Sequence, residues 1–391
     1  MSGDANQPVI VSGVRTAIAR APRGALRSTR PDDIAAATIH AAICGLDGLN
    51  PAEVEDVILG CASPEAEQGL NIARVAALRA GLPLTVPGLT LNRFCASGLE
   101  AIAVAAAKVA TGQATLIVAG GVESMSMVPF MGDTLRPNPY LVEKAPDTYL
   151  PMGLSVERLA NTYGVTREAS DSLALESHRR ALAAQDSGAF ADEIVPIQPA
   201  SEPGSAMPAP FIKDEGPRRD TSMEALAALK PAFREDGVIT AGNASPRSDG
   251  AAAVVVTSRG VADARGWPIL AAFAGYATAA VAPADFGIAP AHAIPALLAK
   301  IGRTLSDIDL IEFNEAFAAQ VLAADKLYPL PMERVNVNGG AVALGHPLGA
   351  TGARQTVTLL HEARRRGSRC GIVTMCAALG MGAAALFEFD R

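Results

Sequence analysis

The 391-residue sequence predicts an α/β layered fold, and three observations carry that prediction. Short apolar runs at residues 9–13, 57–61, 116–121 and 250–256 are too short for helices and read as buried strands. Helical patterns alternate with them, as in a sheet covered by helices. The stretch 96–110 carries only Glu100 and Lys108 as charges; a helix apolar almost all round is buried, not surface-lying.

Taken in order, the first strand ends at Gly13 and residues 15–30 form a basic loop. Asp32 or Asp33 caps a helix running through Ile43. A second strand covers 57–61, and a helix covers 71–80, stopped at Gly81. The apolar segment 86–91, punctuated by Pro87 and Gly88, is extended and leads to Cys95 and the buried helix. A third strand spans 116–121. From Glu123 to about Gly242 the pattern changes: Met125, Met127, Pro129, Pro137 and Pro139 interrupt any strand. Within it Thr166 opens a helix to about Gln185, and 200–217 is loop-like. So long an irregular insertion is more often functional than idle. The core strand at 250–256 closes this part.

The last third repeats the first in outline. Strands are expected at 269–273, 310–314 and 371–376, and helices at 291–301, 316–324 and from Thr351. The order turn, helix, strand around 95–121 is echoed at 345–376, the mark of a weak internal duplication.

Composition narrows the function. Aromatics are only 4% against 49% hydrophobic residues, so the cores are built from Ala, Val, Leu and Ile. The net charge of −7 excludes general affinity for nucleic acid or anionic membrane; a phosphate-bearing ligand needs a local basic patch. Cys44, Cys61, Cys95, Cys370 and Cys376 are an odd count without close-pair spacing. That is neither a disulfide framework nor a zinc site, and it implies a reducing compartment. Residues 1–8 are polar and lack a signal core, and no apolar run reaches membrane-spanning length. The expectation is a soluble cytoplasmic protein with no metal.

Four stretches carry chemistry. Cys95 precedes a helix start, where free N–H groups and the helix dipole favour a thiolate; a core cysteine is the bland alternative. His346 stands among five glycines in the turn 339–352, a candidate proton shuttle. No Gly-Lys-Ser/Thr follows, so the turn is not a nucleotide P-loop. Cys376 ends a buried strand and alone reads as core. Asn314 lies at a strand-to-helix boundary, where capping is its commoner role.

Together these stretches resemble the thiolase family over essentially the whole chain. The resemblance rests on Cys95 with Ser97 and Gly98, the run Asn314-Glu315-Ala316-Phe317, and Gly345-His346-Pro347 with Gly349 and Thr351-Gly352. Cys376, the stretch 238–245 and Asp249-Gly250 complete it. It implies the thiolase fold: two similar α/β halves in a five-layer αβαβα arrangement with an inserted loop domain. The expected divisions are 1–122 with 243–268 for the N-terminal half, 123–242 for the insertion and 269–391 for the C-terminal half.

The resemblance also implies reversible thiolytic cleavage of 3-ketoacyl-CoA by coenzyme A, as in β-oxidation of fatty acids. Coenzyme A is then a substrate, and no cofactor is tightly bound. Cys95 carries the acyl group as a thioester, His346 takes the Cys95 proton, and Cys376 moves a proton at the α-carbon of acetyl-CoA. One oxyanion site falls to His346 and a water held by Asn314, the other to the backbone N–H groups of Cys95 and Ala378. The family usually has glycine where Ala378 stands; if that position needs positive φ, alanine costs on the order of 1–2 kcal/mol. For coenzyme A the resemblance points to Ser245 beside the pantetheine arm, to Met152, Phe233 and Phe317 as apolar walls, and to Arg218 as a phosphate contact. Each of the apolar three has ordinary packing as its bland alternative.

Short-chain biosynthetic members usually carry histidine before the Met-Gly pair; here Pro151 precedes Met152-Gly153. That favours 3-ketoacyl-CoA thiolase over its alternative, acetyl-CoA acetyltransferase. A ketosynthase-type condensing enzyme is expected to lack Cys376 and the run from Asn314, and nothing in the sequence supports water as acceptor, as a cysteine hydrolase requires. The resemblance further implies a homodimer or homotetramer.

Overall fold

The chain is described here by a computed structural model covering residues 4–130, 132, 134–201 and 206–390. It opens with β1 (Pro8–Thr16), β2 (Ala19–Arg20), α1 (Pro31–Cys44), β3 (Asp56–Gly60) and α2 (Ile72–Arg79). Then come β4 (Gly88–Leu91), α3 (Ser97–Ala110) and β5 (Leu116–Ser124). The middle holds α4 (Pro139–Lys144), α5 (Met152–Thr162), α6 (Arg167–Asp186), β6 (Ile194–Val195) and α7 (Met223–Ala227). β7 (Ser248–Ser258), α8 (Arg259–Arg265), β8 (Ala271–Ala280) and α9 (Pro290–Ile301) follow. The chain ends with β9 (Leu310–Phe313), α10 (Ala318–Leu327), α11 (Ala341–Leu344), α12 (Leu348–Arg366), β10 (Cys370–Ala377) and β11 (Met381–Glu388).

The strands run in the order β4-β3-β5-β7-β1-β8-β11-β10-β9. The two halves join through β1 and β8, which pair only at Val9 with Ala272 and Ile10 with Ala271. Alternation along the strands explains the layering, because successive side chains point to opposite faces. In β7, Ala251, Ala253 and Val255 enter a core with Ile34, Ile39 and Ile72 of α1 and α2. Ala252, Val254 and Val256 enter a second core with Leu99, Ile102 and Val357 of α3 and α12. That second core takes Val373, Met375 and Phe387 from the other half. Ile372, Ala384 and Leu386 turn outward to Ile294, Leu297 and Val321 of α9 and α10. The result is five layers: helices, sheet, the α3–α12 pair, sheet, helices. Strands buried on both faces explain why the sequence shows continuous apolar runs without polar alternation.

Several boundaries differ from expectation. Gly13 does not end β1; a Cβ there would stand 3.1 Å from Leu360 Cδ1, so the glycine makes room for α12. Arg15 is not in a basic loop but fully buried in β1, paired with Glu193 at 2.6 Å and Asp214 at 2.8 Å. Neither Asp32 nor Asp33 caps α1; Arg30 is the N-cap and Pro31 starts the helix. α12 begins at Leu348, before Thr351, and α10 begins after Phe317, because Ala316 and Phe317 stay extended against Ser245 and Ala244. β8 starts later than expected and runs on to Ala280. Among the described residues between β5 and β7, only β6 joins the sheet. Of the loop-like stretch 200–217, residues 202–205 lie outside the described residues, as do residues 1–3 of the polar N-terminus. Among the described residues no helix is long and apolar enough to cross a membrane.

Candidate active site

The turn carrying Cys95 is fixed by side chains on either side of it. Asn92 Oδ1 accepts from Phe94 N–H at 2.7 Å. Ser97 Oγ accepts from Arg93 N–H at 2.8 Å and donates to Phe94 O at 2.6 Å. These bonds hold Phe94 at φ 48° and wind Phe94–Ala96 into a 3-10 turn that feeds α3. Cys95 is only 3% exposed, and its turn packs on α12 and β10. The backbone N–H groups of Cys95 and Ala378 both face its sulfur and favour the thiolate. Burial outweighs them and pushes the thiol up to about 12. The expected resting thiolate is therefore corrected: dehydration of the charged form costs more than two N–H donors return.

His346 comes from the opposite direction. Gly345 sits at φ 108°, where a Cβ would lie 2.5 Å from Ser248 Oγ, and that hydroxyl accepts from His346 N–H at 3.1 Å. The Thr351 hydroxyl donates to Pro347 O at 2.8 Å, so its lone pairs face His346 Nδ1 at 2.6 Å. This network assigns the proton to Nδ1 and leaves Nε2 with a lone pair. Asn314 Nδ2 donates to Nε2 at 3.2 Å. Burial, helped by the Arg354 charge, pushes the imidazole down to about 3, so the ring is neutral at ordinary pH. Asn314 is not a helix cap: its own N–H donates to Thr374 O, and its fully buried Oδ1 has no hydrogen-bond partner among the described residues.

Cys376 is fully buried near the end of β10, opposite Gly382 of β11. Burial first, and then the nearby Cys95, push its thiol well above the ordinary range. The turn beyond it has its left-handed residues at Leu379 (φ 63°) and Gly380 (φ 81°), not at Ala378. The anticipated cost of alanine at 378 is thus absent, and its N–H still points at Cys95.

Two helix starts bring these groups together. A Cβ on Gly98 would meet Ala353 N at 2.8 Å, and one on Gly352 would meet Leu99 N at 2.4 Å. α3 and α12 therefore cross in backbone contact, with Cys95 just before one and His346 just before the other. Glu123, at the end of β5, ties the crossing down. It accepts from the N–H groups of Ala62 (2.8 Å) and Gly349 (2.8 Å) and from the Gln68 amide (2.7 Å).

The residues expected to line a route outward also converge. Met152, Ala244 and Phe317 pack on the core that contains Cys376 and Phe286. Phe233 meets Phe317 edge-on at 6.2 Å and lies over Gly153. Ser245 Oγ donates to Ala316 O at 3.0 Å. Arg218 donates its N–H to His178 Nδ1 at 3.2 Å and lines a cavity of ≈ 190 Å³ with Gly242, Ala244 and Pro246. A separate apolar cavity of ≈ 240 Å³ reaches Ala378, lined also by Phe130, Leu150, Met152 and Phe286.

Comparison with known proteins places the fold in a family. The family model "Thiolase, N-terminal domain" matches residues 8–260 and "Thiolase, C-terminal domain" matches residues 267–389. The chain belongs to the thiolase family. It is 47% identical over 388 residues to the 3-ketoacyl-CoA thiolase of Bacillus subtilis, covering 98% of this chain and 99% of that one. It is 45% identical over 392 residues to the human peroxisomal 3-ketoacyl-CoA thiolase, covering 97% and 90%. Among solved structures, the Bacillus anthracis acetyl-CoA acetyltransferase superposes with a TM-score of 0.91 at 43% identity, covering 100% of both chains. The human mitochondrial 3-ketoacyl-CoA thiolase gives 0.90 at 35%, covering 99% of this chain and 100% of that one.

Within this thiolase fold, sequence reasoning missed the residues that orient the reactive ones. Ser248, Glu123 and Gln68 carried no local signal, since each acts on a backbone distant in sequence. Thr351 was noted only as part of a motif. Its spacing from His346, five residues across a helix start, is the signal from which its contact could have been found. Among the described residues no group of three or more His, Cys, Asp or Glu side chains is placed to hold a metal ion.

Proposed function

We propose that this thiolase cleaves 3-ketoacyl-CoA with coenzyme A to give acyl-CoA and acetyl-CoA, through an acyl group carried on Cys95. The single observation that supports it best is the convergence of Cys95, His346 and Cys376 at the α3–α12 crossing, with the N–H groups of Cys95 and Ala378 aimed at the Cys95 sulfur.

In this reading Nε2 of His346, unprotonated at rest, takes the Cys95 proton as the sulfur attacks the 3-keto carbon. Proton transfer coupled to attack removes the need for a standing thiolate. The resulting oxyanion is met by His346 Nε2–H and by a water held at Asn314. The C2–C3 bond then breaks, leaving Cys95 as a thioester and an acetyl-CoA enolate. Cys376 gives its proton to that enolate. Its thiolate next takes the proton of incoming coenzyme A, whose sulfur attacks the thioester. Cys95 leaves as a thiolate and recovers its proton from His346. No proton is gained or lost over the cycle. The backbone N–H groups of Cys95 and Ala378 stabilise the thioester oxygen as it becomes negative; one such donor is commonly worth about 3–4 kcal/mol of barrier.

The apolar cavity beside Ala378 favours acyl chains longer than acetyl, and so 3-ketoacyl-CoA over acetoacetyl-CoA alone. Five free cysteines support a reducing, cytoplasmic setting, and the family supports a homodimer or homotetramer. The test is thiolysis of acetoacetyl-CoA and of longer 3-ketoacyl-CoA thioesters with free coenzyme A. Turnover of both is expected, with kcat/KM rising beyond acetoacetyl. Absence of turnover with every chain length overturns the assignment.

A further inference from the structure

Asn314 and His346 come from separate turns, and one buried carboxylate, that of Glu315, lies between those turns. On the first turn a single side chain, Asn336, holds the residues on either side of Asn314. Its Oδ1 accepts from Phe313 N–H at 2.8 Å, and its Nδ2 donates to Phe313 O at 2.8 Å and to Glu315 Oε1 at 2.7 Å. With its neighbours fixed in this way, Asn314 presents its amide to His346 Nε2 at 3.2 Å. On the second turn, Glu315 Oε2 accepts from the Ser177 hydroxyl of α6 at 2.7 Å and from Val342 N–H of α11 at 3.2 Å. The same Ser177 hydroxyl accepts from Gly340 N–H at 3.0 Å.

α11 runs directly into Gly345 and His346, so what fixes its start fixes the approach of the imidazole. A Cβ on Gly340 would overlap the Glu315 carboxylate, which shows how closely the turn sits on it. Burial pushes that carboxyl above its ordinary range, and the bonds from Ser177, Asn336 and Val342 pull it back. Its three hydrogen-bond donors are all neutral. A carboxylate buried in this way costs free energy that an apolar side chain would not.

Resting on the Cys95 acyl-enzyme reading above, we infer that Glu315 is a positioning residue of the reaction: by holding both turns it sets the Asn314 amide against His346 where the oxyanion of the 3-keto carbon forms. Two groups on separate turns serve one oxyanion only if their spacing is kept closely. A carboxylate suits the task because it only accepts, and its two oxygens bond three donors at once. A glutamine in its place turns an N–H toward donors it cannot bond. The effect belongs to one half of the cycle. Acylation of Cys95 uses the site at His346 and Asn314, whereas transfer to coenzyme A uses the N–H groups of Cys95 and Ala378, to which Glu315 is not bonded.

The test follows the two half-reactions separately by rapid quench. In Glu315→Gln, acylation of Cys95 by a 3-ketoacyl-CoA is expected to slow on the order of 10–100-fold, while transfer of the acyl group from Cys95 to coenzyme A changes by about twofold or less. The loss should run through Asn314. In an Asn314→Ala background, adding Glu315→Gln should slow acylation by no more than about threefold, because groups that act as one unit are not additive. Ser177→Ala removes one donor to Glu315 and the contact to Gly340; it should slow the same half-reaction about tenfold, and it carries the test if Glu315→Gln does not fold. Equal slowing of both half-reactions, or losses at Asn314 and Glu315 that multiply in full, overturns the inference. An unchanged acylation rate in Glu315→Gln, or in Ser177→Ala where only that variant folds, does the same. Failure of the wild-type protein to form any acyl group on Cys95 overturns the acyl-enzyme reading itself, which separates the two claims.

Discussion

The starts of α3 and α12 can be laid side by side. Each carries a hydroxyl in or beside its first turn, Ser97 and Thr351, and each hydroxyl donates to a carbonyl of the preceding loop, at Phe94 and Pro347. In each the next residue is a glycine, Gly98 or Gly352, pressed on the backbone of the other helix. The partners of the two hydroxyls then differ. Ser97 accepts from a backbone N–H and shapes the turn of a thiol, while Thr351 meets the Nδ1 of an imidazole. The following strands differ too. Glu123 is the last residue but one of β5, and its oxygens bind the N–H groups of Ala62, Ser63 and Gly349. Cys376 is the last residue but one of β10, a thiol with no such ties among the described residues. One scaffold used twice thus supplies structure from one strand end and a free acid from the other, and the reactive set exists only where the halves cross.

Changes on the two sides should separate accordingly. The largest effect is expected for Cys95→Ala, which should lower thiolysis by on the order of 10⁴–10⁶-fold in a steady-state assay with folded protein. Next is Cys376→Ser, which should slow exchange of the α-protons of acetyl-CoA about 10²–10⁴-fold while acylation of Cys95 falls far less. Its counterpart Glu123→Gln should act on stability instead, costing about 1–3 kcal/mol in denaturant unfolding; equal damage to proton exchange by both changes would erase the contrast. Thr351→Val should lower kcat about tenfold, the value of one hydrogen bond of 1–1.5 kcal/mol, with KM unchanged.

The smallest effect is a pH profile. With the Cys95 thiol pushed up to about 12 and His346 down to about 3, both groups are neutral between those limits in the free enzyme. The fraction of thiolate therefore rises about tenfold per pH unit. Alkylation of Cys95 by iodoacetamide should climb without a plateau from pH 6 to 9; a plateau near neutrality would mean a resting thiolate–imidazolium pair.

Much of this was legible in the sequence because strands buried on both faces leave unbroken apolar runs, and because Cys95 and His346 each sit beside glycines at a helix start. The ionisation of Cys95 was not legible: a helix start argues for a thiolate, and only the depth of burial, which depends on α12 and β10, reverses that. Arg15 misled for the same reason. Its partners Glu193 and Asp214 lie far along the chain, so a buried ion pair looked like part of a basic loop. The backbone at Ala378 could not be read either, since the positive φ falls on Leu379 and not on the position where glycine was expected.

The most direct test of the crossing is to find which sulfur carries the acyl group. The enzyme is mixed with a 3-ketoacyl-CoA, quenched in acid, and its peptides mapped by mass spectrometry. The acyl mass should appear on the peptide containing Cys95 in the wild-type protein and in Cys376→Ser, and nowhere in Cys95→Ala. An acyl group on Cys376 or Cys61 of the wild-type protein, or one that persists in Cys95→Ala, contradicts the account.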